Sequence, residues 1–167
     1  MPNTVHAAWW RCGGWVLHLA WTSDGLCYLG LPGSPDADLD RFIGRWLPGF
    51  SRQDEAEPPP ETAHQLTEYF EGARTDFDLV LDVRGTAFQI AVWRSLLTIP
   101  YGQTRTYGEI AGAVGRPGGA RAVGQALGQN PLPIVLPCHR VLARDGMGGF
   151  GGGLPTKMRL LAIEGVA

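Results

Sequence analysis

The chain has 167 residues, 44% of them hydrophobic and 18% charged, with a formal net charge of −2. That length and apolar content suffice to bury a core, as one large domain or two small ones, and they exclude a disordered or collagen-like chain. No run reaches the roughly 18 apolar residues of a membrane span, and the N-terminus lacks a basic stretch followed by an apolar segment and a small-residue cleavage site, so the expectation is a cytoplasmic protein with no membrane contact.

Residues 8–32 alternate apolar and turn-forming types. Residues 15–21 read as a strand, Ser23-Asp24-Gly25 as a turn and residues 26–31 as the antiparallel partner. Helical spacing follows over 36–46 through Leu39, Phe42, Ile43 and Trp46, closed by Pro48. Residues 51–62, with Pro58-Pro59-Pro60, are polar and read as a surface connection. A short helix is predicted over 61–70 and another strand over 77–83, which completes a small α+β unit. The three cysteines cannot all pair, so at least one free thiol is expected. Cys12, Cys27, His6, His18 and His64 follow no compact zinc pattern, and neither metal nor cofactor is expected.

From Thr86 the pattern turns helical, with Phe88, Ala91, Val92, Leu96 and Leu97 on one face and Pro100-Tyr101-Gly102 as the stop. The domain boundary therefore falls near Arg84-Gly85, dividing residues 1–83 from 84–167. Charge divides unevenly as well. Seven basic residues face thirteen acidic ones up to Pro100, but seven face three beyond it, a weak sign of local polyanion contact.

Thr106-Tyr107-Gly108-Glu109 has capping-box spacing, so a helix begins there and runs through Ile110, Ala111 and Val114. Residues 115–119 carry turn chemistry, and a second helix spans 120–128 with Val123 and Leu127 towards the core. This is the helix-turn-helix arrangement. The other faces of the second helix hold alanine, glycine, Gln125 and Arg121, poor stock for reading base edges in the major groove. Small side chains suit entry into a minor groove, with Arg121 projecting between the strands. They suit close helix–helix packing equally well.

Leu136-Pro137-Cys138-His139-Arg140-Val141 sets a thiol beside an imidazole after an apolar run. A free cysteine is mostly protonated at neutral pH, so an adjacent base is what makes it a nucleophile. Cysteine is also among the most buried residue types, and the pair alone fits an inert core thiol.

With Asn130-Pro131 before it, with Ala120-Arg121-Ala122-Val123-Gly124, with Ile99-Pro100-Tyr101-Gly102 and Thr106-Tyr107, and with the tail from Gly151 through Lys157 to Glu164, this segment resembles the O6-alkylguanine-DNA alkyltransferases over about residues 78–165. The resemblance implies a small N-terminal α/β unit of ribonuclease-H-like type, then a mainly helical, winged-helix-like domain with the helix-turn-helix. It implies direct-reversal DNA repair: Cys138 accepts an alkyl group from O6 of a flipped-out guanine, once and irreversibly. His139 takes the thiol proton through a water, Glu164 orients the imidazole, and Tyr107 donates to guanine N3. Arg121 fills the vacated stack, and Ala120, Ala122, Gly124 and Thr106 meet the DNA. Asn130 is the hinge between recognition helix and nucleophile. Val141 and Phe150, with Gly151 and Gly152 of the glycine-rich loop, border the base pocket. The implied partner is alkylated double-stranded DNA met through its minor groove, by a monomer. Phe150 stands where many members have tyrosine, which removes a hydroxyl contact to the departing O6.

Three other readings compete. A non-catalytic damage sensor is argued against by Cys138, since such relatives lack the acceptor cysteine. A cysteine-histidine hydrolase predicts multiple turnovers and no need of Arg121. A transcriptional regulator predicts a footprint on one operator, which the bare second helix disfavours.

Overall fold

The structure is a computed structural model in which residues 3–166 are described. The chain forms two compact units, the first ending at Arg84 and the second beginning at Gly85.

In the first unit β1 (Thr4–Cys12), β2 (Trp15–Thr22) and β3 (Gly25–Gly30) make an antiparallel meander, and β4 (Ser51–Asp54) joins β1 in parallel, giving the order β3-β2-β1-β4. Alternation along the strands sends side chains to two faces. Helix α1 (Asp36–Trp46) buries Leu39 and Ile43 with Val5, Ala7, Ala20, Cys27 and Tyr28. Helix α2 (Pro60–Phe70) brings Phe70 onto Trp15 at 4.5 Å and Trp10 at 6.2 Å.

The hairpin predicted over 15–31 is present, but it is extended by β1, which begins well before the alternation at residue 8. Two expectations need correction. Residues 51–62 are not all connection. Ser51 N donates to Asn3 O and Glu55 N to Ala7 O, so the polar run is an edge strand. Such a strand lacks the apolar period because its side chains stay in water, where Arg52 pairs with Asp36, Asp40 and Asp54. Residues 77–83 form no ladder strand, only one parallel bridge, Leu26 to Leu81, held by Leu26 N to Val80 O (3.0 Å) and Asp82 N to Leu26 O (2.8 Å). Burial alternates with the sequence from Phe77 to Leu81, with Val80 77% exposed on the outer side, and the alternation ends at the buried Asp82. Gly25 permits the close pass: its φ is +137°, and a Cβ there would lie 2.5 Å from Val80 O.

In the second unit α3 (Ala87–Leu96) starts from a capping box of Thr86 and Gln89. Its buried face is Val92, Trp93 and Leu96, whereas Ala91 and Leu97, expected inside, are exposed. The Trp93 indole N–H donates to Ala126 O at 2.8 Å, which holds this face of α3 inward. The Thr106 capping box closes as expected, with bonds of 3.1 and 2.9 Å to Glu109, and opens α4 (Tyr107–Ala113). After the glycine-containing turn comes α5 (Ala120–Gly128), which buries Val123 and Ala126. Leu127, expected in the core, is only half-buried. A 3₁₀ turn (Cys138–Arg140) leads into β6 (Val141–Leu142), which pairs in parallel with β5 (Arg105–Thr106), and α6 (Leu154–Ile163) ends the unit. The architecture is the α+β one expected: a small sheet unit, then a mainly helical unit with a helix-turn-helix.

Candidate active site

Between α5 and the 3₁₀ turn the chain runs through three prolines, and Asn130 closes this loop. Its Nδ2 donates to Leu136 O at 2.8 Å while its Oδ1 accepts from Leu132 N at 2.9 Å. Within the loop the buried Ile134 has a φ of +75°, a left-handed conformation that a β-branched side chain adopts only under strain. The loop thereby fixes where Cys138 emerges. The Cys138 thiol is 6% exposed, and burial pushes it up to about 11, against a bond from Asn130 and the charge of Lys157 that favour the thiolate.

His139 is wholly buried, its Nε2 2.9 Å from Glu164 Oε1 at the C-terminal end of α6. The same carboxylate accepts from Arg140 Nε (3.2 and 3.0 Å) and Nη2 (2.8 Å), while Arg140 Nη1 donates to Ile99 O at 2.7 Å. Burial would raise the Glu164 carboxyl, but the bonds from His139 and Arg140 outweigh it and bring it down to about 2. An ionised Glu164 requires the proton on Nε2, which leaves Nδ1 as the basic nitrogen. Burial lowers the imidazole, opposed by Glu164 and helped by Arg140 and Lys157, so the ring rests neutral.

Lys157 of α6 is fully buried and donates from Nζ to three carbonyls: Val141 (2.7 Å), Met147 (2.6 Å) and Gly149 (3.2 Å). Tyr107 Oη donates to that same Gly149 O at 3.4 Å. Gly148 sits under the ring at a φ of +71°, where a Cβ would lie 2.6 Å from Tyr107 Oη. A cavity of about 280 Å³ opens here, lined by Tyr107, Gly124, Leu127, Gly128, Cys138, Gly149, Phe150 and Gly151. This lies just under the roughly 300–1,000 Å³ of sites for drug-sized ligands and suits a single heterocyclic base.

Of the residues singled out in the sequence, Cys138, Tyr107, Gly124, Phe150 and Gly151 meet in this cavity, and His139 and Glu164 stand behind the cysteine. Ala120, Arg121 and Ala122 occupy the first turn of α5, with Arg121 exposed. Thr106 is engaged as the α4 cap. Asn130, Val141 and Gly152 are not among the lining residues; Val141 is buried and offers its carbonyl to Lys157. Sequence reasoning missed three things: the Arg140–Glu164 pair, the Lys157 anchor and the part of Leu127 in the wall. Leu127 is four residues from Val123, and that core-like spacing hid a side chain that faces the cavity. Among the described residues no cluster of His, Cys, Asp or Glu is placed to hold a metal, and no helix is long and apolar enough to cross a membrane.

These two units define a class of two-part proteins: the ribonuclease-like domain of 6-O-methylguanine DNA methyltransferase matches residues 12–83, and its DNA-binding domain matches residues 87–166. The chain belongs to the 6-O-methylguanine DNA methyltransferase family. An inducible methylated-DNA–protein-cysteine methyltransferase of Bacillus subtilis (strain 168) is 38% identical over 151 residues, covering 90% of this chain and 84% of that protein. One from Mycolicibacterium paratuberculosis is 59% identical over 101 residues, 60% of this chain, and the match spans 61% of that relative's length. The crystal structure of the Mycobacterium tuberculosis O6-methylguanine methyltransferase superposes with a TM-score of 0.80 at 41% identity, covering 96% of this chain and 92% of that one. The same mycobacterial protein in complex with DNA has equal TM-score and identity, covering 95% and 92%.

Proposed function

We propose that this protein repairs DNA by direct reversal, moving a methyl or other small alkyl group from O6 of guanine to Cys138. The observation that carries the reading is the cysteine at the floor of a base-sized cavity with a buried His139–Glu164 pair behind it. Family membership and the DNA complex of a 41% identical relative support it.

The thiol proton passes through a water to His139, whose Nε2 bond to Glu164 stabilises the imidazolium. A sulfur–carbon bond then forms as the carbon–O6 bond breaks in line, and the proton ends on the departing guanine, which leaves as the neutral base. Tyr107 donates to guanine N3 and Phe150 stacks on the base. Val141, with Gly151 and Gly152, backs the pocket. The thioether has no low-energy way back, so each molecule acts once and needs no cofactor. The target carbon lies inside the stack, so the nucleotide flips out at a cost of a few kcal/mol. Small residues of α5, namely Ala120, Ala122 and Gly124, let the helix enter a minor groove about 6 Å wide, with Arg121 in the vacated space and Thr106 near the backbone. Asn130 couples that helix to the nucleophile. The protein acts as a monomer in the cytoplasm.

Incubation with a duplex carrying a labelled O6-methyl group tests this. Label moves to native protein and stays on the Cys138 peptide, and Cys138→Ala takes none. Absence of transfer to native protein, or transfer to the alanine variant, refutes the reading.

A further inference from the structure

Helix α5 divides its surface three ways. Val123 and Ala126 face the core. Gly124, Leu127 and Gly128 border the cavity that holds Cys138. The remaining face is exposed, and its long side chains, Arg121, Gln125 and Gln129, follow one another at intervals of four residues. At 3.6 residues per turn, Gly128 and Gln125 flank Arg121 around the helix, about 20° to one side and about 40° to the other. Gln129, at the C-cap, is turned about 80° from Arg121, further from the cavity. Two of the three cavity-lining residues are glycines, so Arg121 and Gln125 are the long side chains of α5 that stand beside the cavity on its exposed side.

A base that enters the cavity brings its own groove against this ridge. One helical turn separates Gln125 from Arg121, about 6 Å along the axis. Base pairs repeat about every 3.4 Å, so Gln125 meets the duplex within about two steps of the flipped nucleotide. In a minor groove each pair offers acceptors, and a G·C pair alone adds a donor, the guanine N2 amino group. Arg121 carries donors only and cannot register it. Ala120, Ala122 and Gly124 have no polar side chain at all. The amide of Gln125 has both functions: Oε1 can accept from guanine N2–H while Nε2 donates to guanine N3.

Resting on the minor-groove reading above, we propose that Gln125 is a specificity-determining residue for the transfer: its amide reads the minor-groove edge of a base pair within about two steps of the alkylated guanine and favours guanine there. The lesion itself is selected by the cavity, whereas the neighbouring pair is selected by Gln125. Because the amide is neutral, this selection adds sequence preference without adding to the electrostatic attraction that Arg121 supplies.

The test compares Cys138→Ala, which cannot accept the alkyl group, with Cys138→Ala/Gln125→Ala. Position 125 is exposed on a helix and alanine is a good helix former, so the second substitution keeps the fold, as thermal unfolding verifies. Each protein is titrated by fluorescence anisotropy with duplexes that carry O6-methylguanine and guanines at the pairs within two steps of it. Each of those guanines is replaced in turn by hypoxanthine, which lacks the N2 amino group and leaves the major-groove edge unchanged. The weaker hypoxanthine–cytosine pair affects both proteins alike, so the ratio of their losses isolates the contribution of Gln125. At one position hypoxanthine weakens binding by Cys138→Ala at least about fivefold more than binding by the double variant, the lower end of a bidentate base contact. Equal losses for the two proteins at every position make Gln125 a solvated side chain and overturn the proposal. The comparison uses binding and not transfer, so a failure of the repair reading shows separately, as absence of label on native protein in the labelled-duplex assay.

Discussion

Replacing Glu164 by glutamine removes one charge from the most heavily shared carboxylate in the second unit. In the native protein that carboxylate accepts from His139 and twice from Arg140 while 5% exposed. The size of the effect follows by two routes. The carboxyl is held at about 2 against an ordinary 4.5, and at 1.36 kcal/mol per unit this amounts to about 3 kcal/mol of stability. Breaking one partner out of a buried ion pair costs roughly 3–5 kcal/mol, the same range. For a protein of this size the loss lowers the melting temperature by about 6–12 °C at neutral pH. Because the folded value lies below the unfolded one, the stabilisation is whole above pH 4.5 and is lost as pH falls towards 2. Thermal unfolding of both proteins between pH 7 and pH 3, followed by circular dichroism, separates this group from other lowered carboxyls such as Asp82. The gap between native and Glu164→Gln is widest at neutral pH and narrows below pH 4.5. A gap absent at pH 7, or constant with pH, refutes the reasoning. Alkyl transfer by the variant slows by roughly 10²–10⁴, the weight of a general base that has lost the anion opposite it.

Arg121→Ala leaves the cavity intact, so it slows transfer from a methylated duplex at least about tenfold while modification by O6-benzylguanine free base, read by intact mass, keeps its native rate. Gly148→Ala forces a Cβ to 2.6 Å from Tyr107 Oη at a φ of +71°. That costs roughly 1–3 kcal/mol in thermal unfolding and lowers transfer to free base and duplex alike. Trp93→Phe keeps most of the buried ring and removes the 2.8 Å indole donor from Ala126 O, which retains Gln129 N, so chemical denaturation finds about 0.5–1.5 kcal/mol less stability and little change in modification by the free base.

What the sequence disclosed and what it withheld follow from where the constraint lies. Thr106 and Glu109 satisfy each other within four residues, so their capping box was legible and the helix starts where it says. The 77–83 segment alternates just as well, yet its backbone meets β3 at one bridge only, because nothing local encodes how long two segments stay side by side. Ser51–Asp54 shows the converse. An edge strand stabilised by backbone bonds to β1 and by Arg52 ion pairs carries no apolar signal at all. At the site Cys138 and His139 are adjacent in sequence, so the pair is visible there, although only the surrounding motif sets it apart from an inert core thiol. Arg140 was visible too, but its pairing with Glu164 was not, since that carboxylate lies 24 residues on. Nothing in the local sequence around Lys157 signals the three carbonyls it holds, since they come from Val141, Met147 and Gly149, eight to sixteen residues earlier.

Under the proposed reaction, burial keeps Cys138 unreactive until a base enters the cavity. With the thiol pushed up to about 11 by burial, the thiolate is scarce at neutral pH, so passing electrophiles find little nucleophile. His139 rests neutral beside an ionised Glu164, able to accept a proton. Under the proposed reaction a flipped alkylguanine changes both conditions together. It displaces water from the cavity, which strengthens the electrostatic interactions inside it, and it offers a leaving group that can take up a proton. If each molecule acts once, as proposed, this order matters more than speed, because every adventitious alkylation of Cys138 removes a whole molecule. In that reading, burial of Cys138 is what reserves the thiol for a base in the cavity that Tyr107 and Phe150 line.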